Sequence, residues 1–305
     1  MRTIIWLLGL CAACGPSTRS HGDTDGGGGS GVDGPIQPTA DAGPGCQKID
    51  VLFVIDNSGS MGQEQANLTA NFPGFINVLN ASGLDYRVAV TTTGRDYSYQ
   101  IQTPLGPITE SVDGDGDNGT MLMSAQCNMT KRWIEKTDAD VTGTFSCIAN
   151  VGTSGPSDEM PLAAMRDAFE DRMMDGTNTG FHRPDALLGV VFLTDEEDCS
   201  YEQSVSLGFG QSLCESGMEP VTNYVQFLDS YTGNHSRWAV AAIAGPGPGT
   251  CSSSFGSADE ATRLKDLVTQ TGANATMASI CDGDLSIGLM QALAVFQSAC
   301  GDIIL

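Results

Sequence analysis

Asp56, Ser58 and Ser60 place three oxygen-bearing side chains at alternate positions of IDVLFVIDNSGSMG, residues 49–62. Magnesium takes oxygen ligands in octahedral geometry and keeps several waters, so a site of few carboxylates and some hydroxyls suits it. The spacing predicts a hard-cation site in which Ser58 and Ser60 coordinate directly and Asp56 ligates or accepts from bound water. A second apolar run, LLGVVFLTD at 187–195, delivers Thr194 and Asp195 in the same way. Both runs read as buried strands, and open α/β sheets present ligand sites at the carboxyl ends of their strands. Asp-x-Ser-x-Ser alone is an ordinary turn composition. Its specificity comes from its place after a strand, before a helix, and opposite a second strand that ends in Thr-Asp.

Other acidic groups compete for attention. Glu196, Glu197 and Asp198 follow Asp195 directly, and they read as a solvated loop, a second cation site, or a field that repels acidic partners and favours basic ones. Asp113, Asp115 and Asp117 in DGDGDNG have the alternation of a calcium loop, yet Asn118 stands at the glycine turn and Ser124 at the closing glutamate. A catalytic constellation is not legible. The histidines are His21, His182 and His235, none in a triad setting, and no glycine-rich phosphate loop with a lysine occurs. Ser58-Gly-Ser60-Met-Gly62 lacks the first glycine of a nucleophile elbow.

Apolar strands alternate with helical segments from Cys46 onward, the pattern of a doubly wound, mainly parallel α/β sheet flanked by helices. Strands are expected at 49–56, 86–93, 187–195, 238–244 and 276–281. Leu68, Phe72, Phe75 and Leu79 trace one helical face, which Pro73 should kink or restart. Leu162, Met165, Phe169 and Met173 trace another, with Pro161 in its first turn. Val221, Tyr224, Val225 and Leu228 form a third, Leu264, Leu267 and Val268 a fourth ending near Gly272, and a last helix is expected over 285–297. Residues 95–157 are Gly, Asp and Thr rich and read as a long elaborated insertion at the site end of the sheet, fastened by Cys127 and Cys147.

These pieces resemble the metal-ion-dependent adhesion site (MIDAS) of von Willebrand factor type A (VWA) domains. The residues that carry the resemblance are Asp56, Ser58, Ser60 and the Thr194-Asp195 pair, and it spans about residues 49–297 with the insertion unmatched. It implies the Rossmann-like VWA fold and a threonine ligand from a middle loop just ahead of a helix. The corresponding stretch is GTSGPSDEMP, 152–161, with Thr153 the first choice and Ser154 or Ser157 the alternates. Glu159 in that place would lower the net charge of the ion and weaken the case for acidic ligands. The resemblance implies a set of Asp56, Ser58, Ser60, Thr153 and Asp195 around Mg2+, or Mn2+ or Ca2+, with an open position that a protein partner's carboxylate fills.

The 305 residues carry 37 acidic and 14 basic side chains, a net charge of −23, with no Lys/Arg cluster. Nucleic acid is therefore an unsuitable partner. Residues 1–13 have the basic start and short apolar run of a secretory signal peptide. The ending CAAC-G resembles a bacterial lipoprotein signal, with Cys14 the lipidated residue; an ordinary secretory signal cut nearby is the alternative. Glycine rather than aspartate follows Cys14, which by that resemblance implies the outer membrane of a Gram-negative envelope, the membrane being reached through the lipid anchor alone. Residues 14–45 are Gly/Asp rich and too poor in apolar side chains to fold, a flexible tether holding the domain, 46–305, on the order of 30 Å from its anchor.

Cys46, Cys127, Cys147, Cys199, Cys214, Cys251, Cys281 and Cys300 remain in the domain, an even number that points to disulfides in an exported chain. Zinc is disfavoured, since no Cys-x-x-Cys stands near a suitably spaced histidine. Sequence leaves the connectivity open. Cys46 precedes the first strand and Cys300 closes the last helix, and domain termini often lie close, so the expected pairs are Cys46–Cys300, Cys127–Cys147, Cys199–Cys214 and Cys251–Cys281. The expected function is metal-dependent protein binding or adhesion by a tethered VWA domain. A cation-stabilised structural module of the envelope and a metal-dependent hydrolase are the alternatives.

Overall fold

Ile49, Val51, Phe53 and Ile55 enter one apolar core while Leu52 and Val54 enter another, so successive residues of the first strand serve opposite faces of one sheet. Burial on both faces explains why this strand reads as a continuous apolar run rather than an alternation. The computed structural model describes residues 46–113, 116–201 and 205–301. The expected signal peptide, lipidated Cys14 and tether, and Asp115 of the acidic loop, lie outside the described residues.

The chain runs β1 (Lys48–Ile55), α1 (Gly62–Ser82), β2 (Asp85–Thr92), β3 (Tyr97–Thr103), β4 (Gly106–Val112), β5 (Ile134–Glu135), α2 (Val141–Ile148), α3 (Pro161–Phe169) and α4 (Asp171–Met174). It continues through β6 (Leu187–Leu193), β7 (Ser206–Gly208), α5 (Leu213–Ser216), α6 (Val221–Thr232), β8 (Trp238–Ala244), β9 (Cys251–Ser253), β10 (Gly256–Ala258), α7 (Thr262–Thr271), β11 (Ala275–Ser279) and α8 (Leu285–Gly301). The main sheet has the order β11-β8-β6-β1-β2-β5, parallel throughout except for β5. Helices α1, α2 and α8 cover one face and α3, α6 and α7 the other. This is the doubly wound α/β architecture expected from the sequence. The chain leaves β1 toward β2 but later crosses to β6 on the other side, so the strand order reverses beside β1, where such sheets open a crevice.

Three local expectations are corrected. Helix α1 passes through Pro73 as one unbroken helix. An interior proline costs about 3 kcal/mol, but Phe72 and Phe75 on either side of it are fully buried. Each buried aromatic contributes roughly 1.5–3 kcal/mol, so packing outweighs the lost hydrogen bond. Met173 does not continue the face of α3, because α3 ends at Phe169, Glu170 is a turn residue between the two helices, and Met173 sits half-buried in the separate short α4.

The insertion, expected at the site end, divides in two. Its first half forms the β3–β4 hairpin, which with β7 makes a three-stranded sheet over a small core of Tyr97, Met160, Ala163, Tyr201, Leu207 and Leu213. Its second half, fastened by Cys127–Cys147, runs toward the amino end of β2, where β5 pairs antiparallel with Arg87 and Val88. An exposed edge on β2 would be an open template for pairing, and β5 caps it. Phe145 of α2 stacks on Phe72 and meets Phe53 edge-on.

All four expected cysteine pairs form: Cys46–Cys300, Cys127–Cys147, Cys199–Cys214 and Cys251–Cys281. Such a set belongs to a protein that folds in an oxidising compartment. Among the described residues no helix is long and apolar enough to cross a membrane.

Candidate metal centre

β1 and β6 are adjacent and parallel, with Ile55 opposite Leu193, so the next residues of both strands emerge side by side at one sheet edge. Asp56 N donates to Leu193 O at 2.9 Å, which continues the ladder one step and sets the Asp56 side chain at the crevice. Thr194 Oγ1 donates to Asp56 Oδ2 at 2.6 Å, and Ser58 N donates to Asp56 Oδ1 at 2.7 Å. Ser58 and Ser60 hydroxyls are 3.1 Å apart, and Ser60 also bonds the Asp195 carboxylate. A continuous circuit therefore runs Thr194, Asp56, Ser58, Ser60, Asp195. The sequence-predicted residues of the first and third loops are brought together by two adjacent strand ends.

The middle loop is tied in by Gln65, whose Nε2 donates to Asp56 O and to Gly152 O, each at 2.8 Å. Gly155 N donates to Asn57 O at 2.7 Å, and a Cβ on Gly155 would stand only 2.5 Å from the Asn57 side chain, so this close approach requires glycine. Thr153 is exposed, with its methyl 3.7 Å from where a Cβ on Gly62 would lie, and no described hydrogen bond joins it to the circuit. Ser154 and Ser157 are exposed on the same loop. Glu159, unlike Thr153, Ser154 and Ser157, is fully buried, and it accepts a hydrogen bond from Thr93 Oγ1 just past the end of β2. Cys199 N donates to Glu159 O at 2.7 Å, clamping this residue between β2 and the loop after β6.

Glu64 and Glu196 complete the cluster, and the sequence reading did not place Glu64 there. Glu64 lies in the first turn of α1, where an acidic residue ordinarily reads as a partner of the helix dipole. It is buried, with Oε1 against Gly256 of β10, a neighbour that only tertiary structure supplies. The rest of the acidic loop after β6 is neither a solvated crown nor a second cation site. Glu197 accepts from Thr262 N and Arg263 N at the start of α7. Asp198 accepts from Leu162 N at the start of α3 and from Arg263 Nε at 2.7 Å. These two carboxylates cap helices, and only Asp195 and Glu196 turn to the site. In the DGDGDNG loop, Asp117 accepts from Thr92 Oγ1 at 2.8 Å and Asn118 takes the left-handed turn position at φ 48°.

Electrostatics at the site run one way. Burial, then the charge of Asp56, pushes the Glu159 carboxyl up to about 9. Burial raises Asp195 to about 6, with Asp56 and Glu64 adding to it, and burial raises Glu196 to about 7, with Asp56 and Asp195 adding. Asp56 and Glu64 are likewise raised, burial being the first cause of each. Glu159 Oε1, Asp195 Oδ1 and Glu64 Oε2 are buried and meet no protein donor. Buried carboxylates of one sign with orphaned oxygens are costly unless a cation accompanies them. The residues present therefore fit a divalent cation.

The cluster is not a contracted carboxylate cage. Among the described residues, the three acidic, cysteine or histidine ligand atoms that fall within 4.8 Å of one another belong to Asp158, Cys199 and Cys214, and both cysteines are spent in their disulfide. Ser58 and Ser60 stand between Asp56 and Asp195 in the hydrogen-bond circuit, hydroxyl oxygens that would suit an ion that keeps several waters. His182 and His235 precede β6 and β8 at the amino end of the sheet, away from this edge.

No family model matches the chain, and no curated protein matches it. Solved structures that it resembles include proximal thread matrix protein 1 from the mussel byssus, at 11% identity and TM-score 0.44, over 82% of this chain and 49% of that one. The pilus adhesin SpaC from Lactobacillus rhamnosus GG in its open conformation matches at 12% identity and TM-score 0.44, over 83% of this chain and 30% of that one. The SpRpn10 VWA domain matches at 12% identity and TM-score 0.37, over 81% of this chain and 95% of that one. The chain thus spans about half or less of the first two proteins.

Proposed function

We propose that this chain is an exported VWA-type domain, tethered through lipidated Cys14 to a bacterial outer membrane, that binds a divalent cation and through it another protein. The observation that carries the reading is the convergence of Asp56, Glu64, Glu159, Asp195 and Glu196 at the reversal point of the sheet, with three buried oxygens that no protein donor meets. Ser58 and Ser60 would ligate directly, Asp56 and Asp195 would hold bound waters or ligate, and the middle-loop ligand would come from Glu159, or from Thr153 if that exposed loop turns inward. Magnesium is the favoured ion on the hydroxyl content of the site, with manganese and calcium the alternatives. When bound, the ion would offer an open coordination position at the surface beside exposed Ser60.

Calorimetric titration of magnesium, manganese and calcium into the oxidised, metal-free protein tests this, beside Asp56→Ala and Asp195→Ala. Saturable one-site binding abolished in both variants is the expected result. Wild-type protein that binds none of the three ions refutes it.

A further inference from the structure

We propose that two copies of this chain pair edge to edge through β4, antiparallel about a two-fold axis at Thr109. The main sheet covers its β2 edge with β5, but among the described residues β4 pairs with β3 alone, so the smaller sheet ends on an open strand. Its register shows which backbone groups are open. Gln100 stands opposite Thr109, and Gln100 N donates away from β4, to Val205 O at 3.1 Å. The two residues therefore exchange no bond across the hairpin, and Thr109, with Pro107 and Ser111 in the same phase, turns its backbone outward. Pro107 fits this phase, since it has no N–H to give β3.

A second β4 answers these groups in one register. Centred on Thr109, the two Thr109 residues exchange N–H···O bonds, and each Ser111 N–H meets the Pro107 carbonyl of the other copy, so the donor that Pro107 lacks is not needed for them. Glu110 then lies opposite Ile108 of the other copy, and the two Ile108 residues, each 48% exposed in the single chain, become diagonal neighbours on one face. Centred on Glu110, the pair would set two glutamates face to face; centred on Ile108, it would push Ser111 against the turn at Leu105. Charge also points to a copy of this chain as the occupant. At a net charge of −23 two copies repel over most of their surface, yet residues 97–109 and 205–214 hold no charged side chain. The β4 edge lets like-charged molecules meet without apposing their charges, and a two-fold axis makes one strand complementary to itself. A contact this small belongs to the weak, reversible class.

Sedimentation velocity on the oxidised, metal-free protein at concentrations up to about 1 mM, with amide exchange followed by NMR at both ends of the range, tests the pairing. Chelator keeps any ion from bridging copies. A dimer that dissociates on dilution and tightens with added salt, as screening of the net charge requires, is the expected result. Thr109 and Ser111 N–H should exchange severalfold more slowly in the dimer, while Glu110 N–H, which the register gives to β3, should not change. Thr109→Pro removes the central donor without touching a bond inside the hairpin and should abolish the dimer at an unchanged melting temperature. Ile108→Glu sets a carboxylate against Glu110 of the other copy and should weaken the dimer roughly tenfold. If Thr109→Pro lowers the melting temperature, Ile108→Glu and the wild-type amides decide. Protein monomeric at every concentration overturns the proposal and leaves the edge to a strand of a different protein. A dimer that survives both substitutions, or one whose Thr109 and Ser111 amides exchange as fast as in the monomer, overturns it too.

Discussion

Replacing Glu159 by glutamine should stabilise the metal-free protein and weaken its hold on the metal, two effects of opposite sign from one atom. Glu159 is fully buried and its folded value stands at about 9, raised by burial and then by Asp56. An unfolded glutamate titrates near 4.3, so at pH 7 folding must bring a proton onto this carboxyl, at a cost on the order of 3 kcal/mol. The contribution of a raised carboxyl is fully present below the unfolded value and lost as pH rises toward the folded one. Glutamine removes that penalty and keeps an oxygen to accept from Thr93 Oγ1.

The stability difference between variant and wild type should be near zero at about pH 4 and grow by roughly 1.4 kcal/mol per pH unit toward pH 9. At pH 7 a domain of this size should gain roughly 6–12 °C in Tm. Differential scanning calorimetry on chelator-treated protein across that pH range measures it. With saturating magnesium the variant's lead should shrink by about 1.4 kcal/mol, because the variant, binding roughly tenfold more weakly, gains less mass-action stabilisation than the wild type. Magnesium binding to the wild type at pH 7 should also release a proton that the variant lacks. A metal-free variant less stable than wild type at pH 8, or a difference that does not vary with pH, would refute the reasoning.

Other expectations concern the rest of the fold. Arg183→Leu strips the buried Asp50 of its partner, which Arg183 Nη2 now meets at 2.7 Å, and should cost about 3–5 kcal/mol in urea unfolding without changing metal affinity. His182 is held down to about 4 by burial, so its folded form binds fewer protons than the unfolded chain between that value and about 6.5. Its contribution is present above the unfolded value and lost as pH falls, by on the order of 2 kcal/mol at pH 4.5, and His182→Asn should show a smaller loss between pH 7 and 4.5 in paired urea titrations. A Cβ on Gly189 of β6 would lie 2.9 Å from the Phe296 ring of α8, so Gly189→Val should destabilise by about 1–3 kcal/mol, read as a lowered urea midpoint.

Asp56, Ser58, Ser60 and Asp195 were legible as one group because they lie on the loops that leave two apolar runs, and parallel neighbouring strands deliver those loops to the same edge. The cysteine pairs were legible for a related reason, since three of them link near neighbours in the chain and the fourth joins the two ends of the domain. What lay beyond the sequence were partners distant in the chain. Glu64 became part of the site through Gly256 and Asp195, and Glu197 and Asp198 left it for the amino ends of α7 and α3. Pro73 stayed inside a helix because two buried phenylalanines held it there. The sequence by itself determined the doubly wound sheet and the edge that carries the candidate site, because hydrophobic period and strand-end residues are local properties. Tertiary structure decided which carboxylates face that edge and what charge they leave there, because an acidic side chain reads the same in sequence whether it caps a helix, pairs with arginine or is buried without a partner.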